Sequence, residues 1–449
     1  MIEPGSENFA RGTGRPPGSE VLETTGRYIV VFDESESDPT ATLRNAGLGN
    51  VANSRDFNNQ SVDPLEVEDA DATIFSELGI AVVTADRGQA RGFAHSAEDR
   101  GTIQSISPEL IHHIQKRQGT QTAPGQSGLV EGAQQAGART GTRTGQNVNP
   151  LAFQDTPQFT WGLQATQVPS SPWSGRGIRV AVLDTGFDST HPDFAGRQIT
   201  TQSFIPNEQA QDGHGHGTHC IGTSTGTNAP ASGPRYGIAY GAEIFVGKVL
   251  SNAGSGSDSG IIAGINWAVA NKVPIISMSL GADVPQVHPP YTAAGLRALN
   301  KGSLIIAAAG NNARRQQGNF GYVGPPANSP HILAVAALEQ SLDVAFFSAR
   351  TLAGRGGQVD IAGPGFQVLS SWLMPTKYNT ISGTSMATPH IAGLAALWAE
   401  ATGFRGRELW ATLMQEGQRL LAPSVDVGSG LGLAPQRGSR SVSSDDDSR

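Results

Sequence analysis

The chain has 449 residues, a formal net charge of −8, 57 glycines, 27 prolines and one cysteine. Its length allows two or three domains and a large buried core. The charge argues against a general nucleic-acid binder, the single Cys220 excludes an intramolecular disulfide, and no apolar run is long enough to span a bilayer. We therefore expect a loop-rich globular protein with no membrane span and no nucleic-acid partner.

The first 26 residues are polar and rich in Gly, Pro and Glu, which predicts a disordered arm. They contain neither a basic n-region nor an apolar h-region, so no secretory signal is predicted. The location is therefore left open between the cytoplasm, export after removal of a signal that is not in this sequence, and export by another route.

Residues 27–115 form a small unit of mixed composition. Apolar and β-branched runs predict strands at 28–32 and 80–85, and alternation at 103–106 predicts an edge strand. Short helices are expected over 40–48 and 89–98. The order strand, helix, strand, strand, helix, strand is typical of a ferredoxin-like α+β domain.

Residues 116–150 are rich in Gly, Gln and Thr and predict a linker, and residues 436–449 predict a disordered tail. Between them, residues 151–435 alternate nearly continuous apolar runs with helical spacing. This pattern predicts an α/β domain with a twisted parallel sheet flanked by helices. The expected strands are 178–183, 244–249, 274–278, 304–309 and 332–337, and the expected helices include 260–271 and 291–300.

Four polar positions follow strands or begin helices in this domain. Asp184 ends a buried strand, His216 lies in a glycine-rich segment, Asn311 follows a strand, and Ser385 begins an Ala/Leu-rich helix. Each one alone is more simply a turn or cap residue. Zinc binding by His214, His216 and His219 is an alternative, disfavoured because no further Cys or His cluster supplies a fourth ligand. Together, an acid, a His and a Ser in this chain order satisfy the demands of a catalytic triad.

The domain closely resembles the subtilisin-like serine peptidases over about residues 155–435. Six motifs in the same order carry the resemblance: VLDTG at 182–186, HPD at 191–193, HGTH at 216–219, SLG at 279–281, AAGN at 308–311 and GTSMATPH at 383–390. The pair His219-Cys220 is similar to the proteinase K branch, which implies a buried thiol beside the catalytic histidine.

The resemblance implies a serine endopeptidase with Asp184, His216 and Ser385 as its triad. Ser385 attacks the scissile carbonyl, His216 transfers the proton, and Asp184 orients the imidazole. Asn311 and the backbone N–H of Ser385 form the oxyanion hole. No cofactor is needed for this chemistry.

The resemblance also implies where a protein or peptide substrate binds. Its backbone would pair as a strand between two segments, and a large apolar P1 side chain would enter a pocket with Gly324 at its bottom. The residues implied in substrate binding are Ser279, Leu280, Gly281, Gly254, Ser255, Gly256, Ala308, Ala309, Gly310 and Gly324.

The sequence departs from the family pattern at three places. His214 stands near the P2 site where the family usually has Asn, and Asp258 stands at the P4 site where several relatives carry an aromatic residue, which suggests a basic P4 preference. The segment 223–236 differs from the calcium loop of the family. Asp193 matches a calcium ligand, so structural calcium stays open.

Residues 27–115 resemble the inhibitory propeptide of the family, with residues 103–114 leading into the cleft. This implies an autoprocessed zymogen that is inhibited by its own propeptide and cleaved within about 114–155. We expect a monomer.

Other function classes remain as alternatives. A peptide-binding pseudoenzyme is disfavoured because every triad position is filled, and an acyl transferase because no inserted domain covers the site. An acid peptidase of the sedolisin type would use Glu where this chain has His216. The N-terminal unit could instead be an independent binding module.

Overall fold

The computed structural model describes residues 22–99, 101–114, 152–354 and 356–438. The predicted linker and nearly all of the predicted arm and tail lie outside these ranges. The N-terminal unit contains five strands and two helices, which are β1 (Thr24–Phe32), α1 (Pro39–Asn45), β2 (Val51–Asn53), β3 (Ala72–Phe75), β4 (Ile80–Val83), α2 (Arg87–Glu98) and β5 (Ile103–His113).

The strands of this unit form one sheet in the order β2-β3-β4-β1-β5. The strands and helices predicted for residues 28–98 are all present, and β2 and β3 are additional. The boundary of the predicted arm is wrong, because β1 begins at Thr24 and Thr24 pairs with Leu110 of β5. The apolar faces of β1, β3 and β4 pack on α1 and α2 through Leu43 and Phe93.

Within the described residues, residues 103–106 pair only with β1, which agrees with the predicted edge strand, whereas residues 111–113 have a second partner. Strand β5 is longer than predicted and pairs on one side with β1 and on the other with residues 255–257 of the second unit. Its second partner lies about 140 positions further along the chain, so the local pattern of β5 could not show it.

The second unit contains ten strands and seven helices within the described residues. They are α3 (Trp161–Ala165), β6 (Arg179–Asp184), β7 (Ile199–Ser203), α4 (His216–Thr225), β8 (Glu243–Lys248), β9 (Ser255–Ser257), α5 (Asp258–Ala270), β10 (Ile275–Met278), α6 (Pro289–Asn300), β11 (Leu304–Ala308), β12 (Leu333–Leu338), β13 (Ile361–Pro364), β14 (Val368–Ser371), β15 (Tyr378–Ile381), α7 (Thr384–Thr402), α8 (Gly406–Gln415) and α9 (Ser424–Val427).

Seven of these strands form a parallel sheet in the order β13-β12-β11-β10-β6-β8-β7. The central strands are buried along their length, as nearly continuous runs of Val, Ile and Ala predict. The α/β fold with a parallel sheet flanked by helices is therefore confirmed. Among the described residues, no helix is both long and apolar enough to cross a membrane.

The carboxyl ends of three adjacent strands carry the predicted polar residues. Strand β6 ends at Asp184, β10 ends just before Ser279, and β11 ends three residues before Asn311. Because these strands are parallel neighbours, the three positions lie at one edge of the sheet, where open α/β sheets place their sites.

The N-terminal unit packs on helices α5 and α6. The guanidinium of Arg297 donates to the backbone carbonyls of Phe32, Leu78 and Gly79. The side-chain carbonyl of Asn266 accepts the N–H of Glu77 (2.9 Å), and Glu77 also pairs with Lys301. Backbone groups of one unit are thus held by side chains of the other.

Candidate active site

Asp184 and His216 are in direct contact. Nδ1 of His216 lies 2.8 Å from Oδ1 of Asp184, and both side chains are buried. The same oxygen accepts the N–H of Thr185 (2.8 Å). A carboxylate accepts and cannot donate here, so Nδ1 of His216 carries a proton and Nε2 is the atom left to act as a base.

The surroundings of His216 favour its cationic form. Burial by itself lowers the pKa of the imidazole, but the Asp184 carboxylate, with a smaller contribution from Cys220, raises the pKa well above its ordinary value. An imidazolium that forms during a reaction is therefore stabilised at this position.

The segment before His216 is organised by Asp212, which the sequence analysis did not single out as functional. Its Oδ1 accepts the backbone N–H groups of His214 and Gly215 (both 2.9 Å), and its Oδ2 accepts the N–H of Thr218 (2.9 Å). Gly215 has φ +100°, and a side chain there would meet the ring of Trp372. The turn and the start of α4 are thereby fixed, and α4 begins at His216.

Ser385 is the second residue of α7 and lines the same cleft as His216, as predicted for a nucleophile at a helix start. Its hydroxyl donates to the carbonyl of Ser279 (3.3 Å), while Ser279 Oγ donates to the carbonyl of Ser385 (2.8 Å). Within the described part of the chain, Ser385 makes no hydrogen bond to His216. Catalytic hydrogen bonds of this kind are often long without substrate and tighten in the reacting complex.

Asn311 is held next to Ser385 by Thr384. The side-chain oxygen of Asn311 accepts the N–H (2.9 Å) and the hydroxyl (3.0 Å) of Thr384, which fixes the orientation of the amide. Its Nδ2 would lie 3.2 Å from a Cβ placed on Gly383, and Asn311 lines the cleft. The amide is therefore oriented with its N–H₂ group toward the cleft beside Ser385.

Residues 111–114 of the N-terminal unit lie in the channel predicted for substrate. Ile111, His112 and His113 pair antiparallel with Ser257, Gly256 and Ser255. On the other side His113 exchanges two backbone hydrogen bonds with Gly281 (3.1 and 3.2 Å). The N–H of Ile114 donates to the carbonyl of Gly254 (2.9 Å), which precedes Ser255 on the first side. The side chain of Ile114 lines the cleft with His216 and Ser385.

The remaining predicted substrate residues lie near this channel. Ala308, Ala309 and Gly310 lead from the end of β11 to Asn311, and all are buried. Gly324 is also buried, and a Cβ there would lie 2.2 Å from the carbonyl oxygen of Ala282. Close backbone packing therefore requires glycine at position 324, and its role in a P1 pocket stays a prediction.

Asp193 does not fit a calcium site. One of its oxygens accepts the hydroxyl of Tyr236 (2.6 Å) and that of Tyr378 (3.0 Å), and the other accepts the N–H of Ala231 (2.8 Å). Calcium takes six to eight oxygen ligands that present lone pairs. Here the carboxylate already binds O–H and N–H donors, which hold its oxygens in a protein network.

The three histidines considered for zinc do not gather around one point. Nε2 of buried His219 lies 3.0 Å from the carbonyl of Val368, and burial lowers the pKa of His219 to about 3. Among the described residues, the one group of three candidate ligands is Asp184, His216 and Cys220. Cys220 is buried with its sulfur 3.9 Å from Nδ1 of His216, the position that the resemblance implied.

Several residues of the cleft were not anticipated. The cleft has a volume of about 560 Å³ and is lined on one side by a segment around β14 and β15. That segment contains no recognisable sequence motif. It lines the cleft because β14 and β15 directly precede α7, the helix that carries Ser385. The unanticipated lining residues are Phe366, Gln367, Trp372, Thr380, Ile381, Ser382 and Met386.

The chain is similar in sequence to a known protein family, and the family model matches the second unit. A family model described as "Subtilase family" matches residues 175–432. Subtilisin E of Bacillus subtilis (strain 168) is 38% identical over 246 residues, which cover 54% of this chain and 61% of that relative. Subtilisin of Bacillus pumilus is 37% identical over 246 residues, 84% of its length, and the cuticle-degrading protease of Metarhizium anisopliae is 40% identical over 241 residues, 55% of its length. The matched part of the chain thus spans about three fifths of the length of subtilisin E.

Proposed function

The chain belongs to the subtilase family, and on that basis we propose that it is a serine endopeptidase that hydrolyses protein substrates through an acyl-enzyme. The single observation that carries the proposal is the contact between Asp184 and His216 in a cleft that also contains Ser385 and Asn311.

The residues divide the reaction between them. The hydroxyl oxygen of Ser385 attacks the scissile carbonyl while Nε2 of His216 takes its proton. The oxyanion accepts hydrogen bonds from the Asn311 amide and the N–H of Ser385. The C–N bond then breaks as His216 gives its proton to the leaving amine, and Asp184 stabilises the imidazolium throughout. In the second half of the reaction, water gives a proton to His216 and attacks the acyl carbonyl. The ester bond to Ser385 then breaks, and His216 returns the proton to the Ser385 oxygen.

The test uses a serine-directed fluorophosphonate and the variant Ser385→Ala. The wild-type chain should be labelled once and lose activity toward an unfolded protein substrate, whereas Ser385→Ala should neither be labelled nor cleave. Ser341→Ala is the matched control because the Ser341 hydroxyl donates to Asp343 within a turn and does not line the cleft. Labelling of Ser385→Ala, or full activity in that variant, would contradict the proposal.

We further propose that the N-terminal unit is an inhibitory propeptide removed by self-cleavage. Support comes from the strand pairing of residues 111–114 on both sides of the channel. The sequence places the cut within about 114–155. Ile114 lies next to His214, which the resemblance puts near the P2 site, so Ile114 is the second residue before the cut. The bond that we expect to be cleaved is therefore the one after residue 115.

Autoprocessing is tested by N-terminal sequencing of the purified protein. The wild-type chain should yield a mature form that begins at residue 116, and Ser385→Ala should remain full length. Normal processing of Ser385→Ala would assign the cut to another protease. The residue at P1 of the expected self-cleavage is Gln115, which is polar. For other substrates we propose a large apolar P1 preference, from the resemblance at Gly324, and a peptide library that includes Gln at P1 tests it on the same preparation.

A further inference from the structure

Asp258 is a fully buried carboxylate at the first position of α5, beside the channel that holds residues 111–114. Four donors surround it. Oδ1 lies 2.7 Å from Nε2 of His112 and 2.7 Å from the hydroxyl of Tyr291, while Oδ2 lies 2.9 Å from Nε2 of His288 and 2.6 Å from the N–H of Leu110.

Two of the four donors come from the N-terminal unit. His112 and Leu110 belong to β5, whereas His288 and Tyr291 belong to the same unit as Asp258. When β5 leaves, the carboxylate therefore keeps two partners and loses two. A buried carboxylate without its donors is costly, because it gives up water without receiving a full set of hydrogen bonds in return.

The pocket is shaped for an imidazole. The side chain of His112 is fully buried, and its ring packs edge-on against Tyr291 with 5.4 Å between ring centres. Its Nδ1 is buried and has no hydrogen-bond partner. A neutral imidazole that donates from Nε2 leaves only an acceptor unpaired there, whereas the cationic form would bury an unpaired N–H donor.

Longer cationic side chains suit the pocket less well. A lysine ammonium brings three N–H donors and an arginine guanidinium five. The two oxygens of Asp258 are already shared by Tyr291, His288 and a backbone N–H, so most of those donors would be buried without an acceptor. The sequence predicts a basic residue at P4. Of the three basic side chains, the structure favours histidine over lysine and arginine.

The position of this pocket along a substrate follows from the strand register. Ile114 lies beside His214, at the P2 site, with its Cδ1 close to Gly254. Alternate residues of a strand point to the same side, and His112 is two residues earlier. His112 therefore corresponds to the fourth residue before the scissile bond.

We propose that Asp258, His288 and Tyr291 form an S4 subsite, the pocket for the P4 residue, that selects histidine in protein substrates. His112 occupies this subsite as a substrate mimic. This inference rests on the proposed peptidase function. A hydrogen bond to a buried charge should favour P4 histidine over P4 alanine by roughly 10–100-fold in kcat/KM.

The test is carried out on the self-processed wild-type protein with internally quenched peptides that differ only at P4. Histidine should exceed alanine, leucine, lysine and arginine. In Asp258→Asn the ratio of kcat/KM for histidine over alanine should fall to about one, because an amide cannot accept on both sides. Asp343→Asn, an exposed carboxyl in a turn, should keep the wild-type ratio.

The outcomes separate the two proposals. If no peptide is cleaved and Ser385 is not labelled, the peptidase function and the subsite are both overturned. If all peptides are cleaved with equal kcat/KM, or lysine or arginine equals histidine, only the histidine subsite is overturned, and the same holds if Asp258→Asn keeps the preference.

Should Asp258→Asn fail to fold, the full chain with His112→Ala gives an independent result, because only the N-terminal unit changes. We expect faster appearance of peptidase activity in His112→Ala than in wild type, with His95→Ala, an exposed residue of α2, behaving as wild type. An unchanged time course in His112→Ala would overturn the inference.

Discussion

The imidazole of His216 lies between a carboxylate and a thiol, both buried. Because Asp184 holds the proton on Nδ1, only Nε2 is available to accept a proton, as the proposed reaction requires. The same carboxylate raises the pKa of His216, so the neutral base becomes available as pH rises. We therefore expect activity to increase from acid toward neutral and alkaline pH.

Asp184→Asn should lower kcat by about 10⁴, because an amide at this position favours the wrong imidazole tautomer. The variant should also move the acidic limb of the pH–rate profile to lower pH, since the charge that raises the pKa of His216 is gone. Stopped-time assays of kcat between pH 5 and 10 check both effects. An unchanged pH profile would show that the carboxylate does not act on His216.

Cys220 is buried, and burial raises the pKa of its thiol above the ordinary value. A mercury reagent that reaches the sulfur, 3.9 Å from Nδ1 of His216, would displace the imidazole. We expect mercurials to inhibit the wild-type protein and to leave Cys220→Ala active. Residual activity after titration with a mercurial measures this, and equal sensitivity of both proteins would contradict it.

At the scale of single elements, a carboxylate of the N-terminal unit caps a helix of the other unit. Glu109 is fully buried, accepts the N–H of Ser259 at the start of α5 (2.9 Å), and is bound by Arg27 through two hydrogen bonds (2.7 and 3.0 Å). Thr25 also donates to it. A negative charge at a helix start is favourable, so this contact holds the two units together.

Glu109→Gln should lower the affinity of the N-terminal unit for the second unit by roughly tenfold, because the amide keeps one acceptor but loses the charge. The lag before peptidase activity appears in the purified full chain should shorten accordingly. Glu66→Gln is the control, since Glu66 is an exposed carboxyl of the same unit. A lag as long as that of the wild type would argue that Glu109 does not help to hold the inhibitor.

A second element-scale contact joins the loop before β8 to β15. Tyr236 and Tyr378 both donate to Asp193, where a calcium ligand was considered. We expect Tyr236→Phe to lower the free energy of unfolding by about 1–3 kcal/mol, and Tyr240→Phe to have little effect. EDTA should leave the melting temperature of the wild type unchanged. If EDTA lowers the melting temperature, calcium reverses the drop, and Asp193→Asn abolishes the effect, Asp193 binds calcium after all.

The positions of strands and helices can be predicted from the sequence where the element buries a continuous apolar run. Strands such as β6 and β11 were predicted within one or two residues, because Val, Ile and Ala buried on both faces leave a clear signal. Strand β9 was not predicted as such, since Ser255-Gly256-Ser257 has no apolar residue and exists through its partner β5. Asp258 and His112 are 146 positions apart, and no local pattern could pair them.

At the scale of the whole molecule, buried titratable groups set the pH dependence of stability. Burial lowers the pKa of His219 to about 3 and that of His390 to about 4. Both values lie below the ordinary 6.5, so these groups stabilise the fold above pH 6.5, and this stabilisation is lost as pH falls. Burial raises the pKa of Asp360 to about 7, so its contribution is present at low pH and is lost as pH rises to 7.

Two substitutions separate these opposite effects, in a Ser385→Ala background that prevents autolysis. His390→Gln should reduce the difference in free energy of unfolding between pH 7 and pH 4.5, and Asp360→Asn should enlarge it. Denaturant titrations at the two pH values measure the difference. A change of the opposite sign in either variant would show that its group is not buried in the assumed charge state.

Residues 111–114 lie along the channel that we propose for substrate and are held there by backbone pairing on both sides. If the proposed function is correct, the chain itself contains one example of a sequence that the cleft accepts. Proteins that carry a similar stretch in an exposed loop are the first candidates to examine as natural targets.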